Sequence, residues 1–204
     1  MLDEQGQSDA RPLVNIVGER VALGPLRRDL LPLYLRWAND MPSGRNLNVL
    51  PPLTLEQEAA WYDTAATAGD EKNFTVYERS TWRPIGTTGL ISIEYRHRRA
   101  EFGILIGERD CRGKGYGTET TRLVLDYAFT ALGLHNVMLR VFSFNTAALR
   151  AYEKAGFREF GRRRECYSSL GRLWDDVHME CLATDFTSPV LTAALAPDPL
   201  AHPP

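Results

Sequence analysis

The spacing of apolar residues changes period several times along the chain, and each change marks an element. From Val14 to Leu26, VNIVGERVALGPL is rich in β-formers and broken at Gly18, which predicts a first strand. The period then lengthens. Leu30, Leu33, Tyr34 and Trp37 fall on one helical stripe. Asp29 is its expected cap, and Pro32 lies in the first turn, where a missing N–H does little harm. MPSGRNLNVLPPL reads as a loop. Thr54 and Gln57 form a T-x-x-Q capping box that opens a second helix through about Thr67.

Three β-type runs come next, NFTVYER, IGTTGLISIEY and RRAEFGILI, joined by short polar links. They predict an antiparallel meander. Helical spacing returns at Leu123, Val124, Tyr127, Ala128, Ala131 and Leu132, with Gly133 placed to end the helix. HNVMLRVFSF is another strand, and NTAALRAYEKAGF a short helix closed at Gly156. FREFGRRRECYSS and LWDDVHMECLA read as a terminal hairpin turning at Leu170 and Gly171. Residues 1–12 read as a loose arm, 13–183 as one domain, and 184–204, rich in proline and alanine, as a mostly disordered tail. The order β, α, α, three strands, α, β, α, β, β predicts an α+β fold, a mixed and mostly antiparallel sheet flanked by helices.

Composition narrows the function. A length of 204 residues suits one domain with a substantial core. The formal charge of −2 gives no general pull toward nucleic acid or anionic lipid, so neither is an expected partner. The Arg162-Arg163-Arg164 run reads as a solvated hairpin face. Cys111, Cys166 and Cys181 are odd in number and hold no CxxC pair, which points away from a disulfide framework and toward a reducing cytosol. The N-terminus MLDEQGQSDARP lacks a signal peptide's basic and apolar regions, and no apolar run is long enough for a bilayer. His97, His135, His178 and His202 lack metal-ligand spacing, so no metal is assigned.

The chemistry concentrates in CRGKGYGTET, Cys111 to Thr120. Gly113, Gly115 and Gly117 sit at alternate positions, with Arg112 and Lys114 beside or between them, at the mouth of a predicted helix. A helix N-terminus presents unpaired N–H groups and a partial positive charge, and glycines let an anion come close. Arg112 and Lys114 are available to supplement it. The stretch reads as a phosphate or pyrophosphate cradle. It lacks Walker A spacing, and its G-x-G-x-G differs from the dinucleotide G-x-G-x-x-G. On glycines alone, a simple tight turn remains open as well.

The segment RGKGYG also matches R/Q-x-x-G-x-G/A, and it is followed, after a strand, by NTAALRAYEKAGF. Together these resemble the acetyl-CoA motifs of the GNAT superfamily of N-acetyltransferases. RRAEF and DYAFTAL bring the resemblance nearest to its spermidine and ribosomal-protein N-terminal acetyltransferase branch. The resemblance implies a sheet whose central parallel strands, AEFGILI and HNVMLRVFSF, splay apart to admit pantetheine. The backbone of Ile104, Leu105 and Ile106 would then face pantetheine and thioester and offer an N–H to the oxyanion of a tetrahedral intermediate. The pyrophosphate would lie over Arg112, Gly113, Lys114, Gly115, Tyr116, Gly117 and Thr118. Asn145, Ala148 and Tyr152 share a helical face. Asn145 suits an N-cap that also meets pantetheine, Ala148 leaves room, and Tyr152 is the implied general acid. Glu101 is the candidate base, directly or through water. The implied reaction moves acetyl from acetyl-CoA to a polyamine, a peptide N-terminus, or an antibiotic or other small-molecule amine. A non-catalytic acyl-CoA-binding module is the alternative, and a homodimer is compatible with either.

Overall fold

The computed structural model describes residues 11–47 and 52–197. Eight strands form one sheet in the order β1-β2-β3-β4-β5-β6-β8-β7. They are β1 (Ile16–Val17), β2 (Val21–Pro25), β3 (Lys72–Glu78), β4 (Pro84–Glu94), β5 (Arg99–Ile106), β6 (Asn136–Phe142), β7 (Arg158–Ser169) and β8 (Arg172–Leu182). Every neighbouring pair is antiparallel except β5 and β6. The expected meander is β3, β4 and β5. The expected single first strand is instead a hairpin, because the chain reverses between Val17 and Val21.

The helices are α1 (Leu31–Ala38), α2 (Met41–Leu47), α3 (Leu55–Thr67), α4 (Tyr116–Asp126), α5 (Thr146–Ala155) and α6 (Leu191–Ala194). α3 opens on the full capping box: Gln57 N–H donates to Thr54 Oγ1, and Thr54 N–H donates to Gln57 Oε1. Asp29 does not cap α1. Its carboxylate accepts from Arg27, and the helix starts after a single 3-10 turn over Arg28–Leu30. The ion pair two residues away displaces the cap. MPSGRNL, expected as loop, is α2. Pro42 lies in its first turn, where no N–H is needed, and the N–H groups of Ser43 and Gly44 both donate to the Asp40 carbonyl at 2.8 Å. Past Asp126 the α4 helix widens into one π-type turn over Tyr127–Ala131 and stops at Gly133, whose φ is +65°.

Two apolar layers flank the sheet. On one face Leu123, Val124 and Leu125 of α4, with Leu149 of α5, pack on Leu23, Ile85, Leu90, Leu139 and Met179. Burying each large aliphatic side chain there contributes roughly 1.5–3 kcal/mol. On the other face Leu31, Tyr34 and Trp37 of α1 pack with Ala59 and Tyr62 of α3 and Leu105 of β5.

Residues 184–197, part of the tail whose composition predicts disorder, dock on the domain. Val190 and Leu191 N–H groups donate to Asp126 Oδ2 at 3.0 and 2.8 Å, and Phe186 meets Phe129 edge-on at 5.3 Å. Leu191 is buried. A few apolar anchors and one buried carboxylate outweigh the average composition. Residues 1–10 of the expected arm, and 198–204 of the tail, lie outside the described residues.

Candidate active site

β5 and β6 are paired only from Arg99 to Glu101, opposite Asn136 to Met138. Beyond that point β5 stays paired with β4 through Ile106, but its β6-facing edge has no strand partner. A cleft of about 750 Å³ opens there, lined by Glu101 through Ile106 on one side and by Arg140, Val141 and Phe142 on the other. The parting of the two parallel strands leaves the main chain of Phe102–Ile106 without a β6 partner, apart from the Ile106 carbonyl, which Arg112 takes, and an extended amide chain can complete that edge. Ile104 and Ile106 lean on the α4 layer and Leu105 on the α1 layer, as strand alternation requires.

The glycine loop closes one end of the cleft. Gly113, Gly115 and Gly117 all line it, whereas Lys114 and Tyr116 between them do not. Gly113 and Gly115 have φ of +72° and +84°, a region that side-chain-bearing residues rarely adopt. Gly115 is the α4 N-cap, so the first N–H groups of α4 open toward the cleft end. The Tyr116 hydroxyl donates to Glu78 Oε1 at 2.8 Å, anchoring the loop to β3. The Arg112 side chain does not serve as a spare cation. Its Nε donates to the Ile106 carbonyl at 2.9 Å, and its Nη2 to Ser43 Oγ and the Gly107 carbonyl at 2.7 and 3.1 Å. It joins the loop to the end of β5 and to α2 by donating to two main-chain carbonyls at that strand end.

Beneath the loop lies a contact that spacing along the chain does not reveal. Arg20 Nη1 donates to the Lys114 carbonyl at 3.0 Å, and its Nε to Glu119 Oε2 at 3.0 Å. Glu119 Oε1 accepts the Arg20 N–H at 2.8 Å. A Cβ on Gly115 would sit 3.1 Å from the Arg20 guanidinium.

α5 supplies the far wall. Asn145 caps it, its Oδ1 accepting the Ala148 N–H at 3.2 Å. Asn145, Ala148 and Tyr152 all line the cleft. The Tyr152 ring meets Phe102 and Phe157 edge-on, at 6.1 and 6.0 Å. Loss of water around its hydroxyl pushes its pKa up to about 12. Glu101 lies across the same cleft and accepts from Arg140 Nε at 3.2 Å. Arg140 also stands 3.8 Å from Asp176, which is 3.5 Å from His178. Phe142 and Tyr167 stack at 4.0 Å and form an apolar patch at the β6 side.

Every expected site residue except Lys114 and Tyr116 therefore has a side chain or backbone on one cleft. Trp37 is a core residue whose indole N–H donates to Glu108 at 2.8 Å, and its ring occupies the space a side chain on Gly107 would need. Trp61 is partly exposed and packs edge-on near Tyr34. Among the described residues no cluster of three or more His, Cys, Asp or Glu could hold a metal, and no helix is long and apolar enough to cross a membrane.

Comparison with known proteins agrees with this geometry. The family model of the GNAT acetyltransferase domain matches residues 20–158. Spermidine N(1)-acetyltransferase of Vibrio cholerae is 32% identical over 74% of this chain and 89% of its own. Human alpha/beta-tubulin-N-acetyltransferase 9 is 28% identical over 71% of this chain and 75% of its own. A crystal structure of Vibrio cholerae spermidine N-acetyltransferase in complex with CoA and spermine superimposes with a TM-score of 0.75 at 30% identity, covering 81% of this chain and 97% of that one. The chain accordingly belongs to the GNAT acetyltransferase family, and its reaction is acetyl transfer from acetyl-CoA to an amine.

Proposed function

We propose that this reaction runs in the β5–β6 cleft, with Tyr152 as the acid and Glu101 as the base. Acetyl-CoA supplies the activated acetyl group as a thioester. The chain supplies position and proton handling. N–H groups at the start of α4 and the glycines before it hold the diphosphate, with Lys114 on the loop as a nearby positive charge. The unpaired edge of β5 at Ile104–Ile106 holds the pantetheine amides and donates an N–H to the carbonyl oxygen as charge develops on it.

The observation that carries the reading is Tyr152. Its hydroxyl has no hydrogen-bond partner among the described residues, opens on the cleft that the glycine loop closes, and stays protonated far above neutral pH. A phenol in that state gives its proton to a departing thiolate. As the nitrogen–carbon bond forms, the carbon–sulfur bond breaks and the amine's extra proton passes to Glu101, directly or through water. A module that only bound acyl-CoA would need neither side chain. Tyr152→Phe should lower kcat by roughly a hundredfold or more while acetyl-CoA binding, read by calorimetry, stays within a few-fold. Full activity in that variant removes Tyr152 as the acid.

The acceptor is a primary amine, on a small molecule or a peptide. Spermidine, the amine in the names of several relatives, is one member of that class. Three cysteines without a disulfide among them fit a reducing compartment such as the cytosol. Pairing of two copies along the β7 edge belongs to the same proposal, supported by exposed Phe160, Leu170 and Leu173 on that hairpin. A monomer mass by light scattering at micromolar concentration would rule it out.

A further inference from the structure

The walls of the cleft carry an excess of positive charge. Arg112, Arg140, Arg150, Lys154 and Arg163 line it, against Glu101 and Asp176. Arg112 is committed to the loop, and Arg150 and Lys154 belong to α5, where Arg150 Nε donates to the Thr146 carbonyl. The remaining charges, Glu101, Arg140, Arg163 and Asp176, stand on β5, β6, β7 and β8, away from the glycine loop and α5. Register places Phe142 opposite Asp176, and Asp176 opposite Arg163 on β7.

Both carboxylates of that wall are already answered. Arg140 lies 3.2 Å from Glu101 and 3.8 Å from Asp176, and His178 adds a second partner for Asp176. Arg163 is different. Its neighbour Arg162 is held by Glu159 and Asp175, but the Arg163 guanidinium has no ion pair or side-chain hydrogen bond among the described residues. The guanidinium is exposed, and the stacked Phe142 and Tyr167 rings line the same cleft.

A polyamine brings two or more ammonium groups. One reacts, and the others need unpaired carboxylates or must remain in water. Among the described residues the cleft offers no unpaired carboxylate, and a second ammonium near Arg163 is repelled. A planar guanidinium without a partner instead matches a carboxylate or a phosphate in two-pronged fashion. We infer that the acceptor carries, beside its reactive amine, an anionic group of carboxylate or phosphate chemistry that docks on Arg163, and that spermidine is a poor substrate. This rests on the N-acetyltransferase reading and narrows its acceptor; the bond changes of the transfer are the same.

The test uses the full chain, acetyl-CoA and a thiol-release assay on matched amines. Amino acids and short peptides with free carboxylates are compared with their C-terminal amides, phosphoethanolamine with ethanolamine, and all with spermidine. The anionic member of at least one type of pair should have a kcat/KM about tenfold or more above its neutral partner, mostly through KM. Preference confined to the carboxylate or to the phosphate pairs identifies the source of the anion. Arg163→Gln should bring that ratio toward one, and Arg163→Glu should shift preference toward spermidine. Arg164→Gln, outside the cleft, should keep the wild-type ratio. Spermidine as the best substrate, or an unchanged ratio in Arg163→Gln, overturns the inference. Tight CoA binding with no acetylation of any amine overturns the enzymatic reading itself, and this inference with it.

Discussion

Arg20 lies 94 positions before Lys114, yet its guanidinium donates to the Lys114 carbonyl at 3.0 Å and also binds the Glu119 carboxylate. The hairpin between β1 and β2 thereby holds the glycine loop from below. A loop of glycines is permissive by nature, and this contact selects one of its conformations. Arg20→Ala should therefore weaken acetyl-CoA binding by about tenfold, with a smaller change in kcat at saturation. Calorimetry with CoA reads the effect. An unchanged affinity would show that the loop holds its shape alone.

Gly115 tests the same clamp from the other side. It has a φ of +84°, and an added Cβ would stand 3.1 Å from the Arg20 guanidinium. Gly115→Ala should cost about 1–3 kcal/mol of stability and weaken CoA binding more than Arg20→Ala does. Denaturant unfolding and calorimetry together check it. Wild-type values in both would contradict the assigned loop geometry.

The phenol of Tyr152, raised by burial to about 12, sets the alkaline side of the pH profile. Its catalytic form is the protonated one, which is kept until pH rises through the folded pKa. The kcat should thus show no descending limb from pH 7 to pH 10. A fall centred near pH 10, the value of a phenol in water, would mean that Tyr152 is solvated or that another group is the acid.

Glu58 on α3 is buried, and loss of hydration raises its pKa. The folded state then holds the proton more tightly than the unfolded chain, so this group's contribution to stability falls as pH rises through its folded pKa. Glu58→Gln should raise the melting temperature at pH 7.5, and the gain should shrink below pH 4.5, where wild-type Glu58 is itself protonated. A gain that is equal at both pH values would point to packing instead of charge.

Asp126, fully buried, accepts from the N–H groups of Val190 and Leu191 and from the Thr130 hydroxyl. Asp126→Ala should destabilise the fold by about 2–4 kcal/mol and expose the 186–195 segment to protease. Limited proteolysis with mass spectrometry checks this, and an intact segment would assign its docking to Phe186 and Leu191 alone.

Local rules carried much of the architecture. The capping box at Thr54, the meander and the glycine-closed α5 are written in neighbouring residues, so they could be read from the chain. Gly113, Gly115 and Gly117 were also legible, because positive φ and close approach select glycine locally. What the pattern does not show depends on side-chain partners, some next door and some far along the chain. Arg27 takes Asp29 from its expected cap, Asp40 and Arg112 support α2, and Asp126 docks a segment whose composition predicts disorder. The side-chain partners of Arg112 are hidden for the same reason. Its charge was visible, but the strand-end carbonyls that claim it were not.

The central claim is that the glycine loop holds the diphosphate of coenzyme A and so sets its sulfur beside Tyr152. A crystal structure with CoA bound measures this directly. The account predicts the diphosphate against the N–H groups of residues 113–118, pantetheine along Ile104–Ile106, and the sulfur within about 4 Å of the Tyr152 hydroxyl. A nucleotide seated elsewhere, or a sulfur well beyond reach of that hydroxyl, would contradict it.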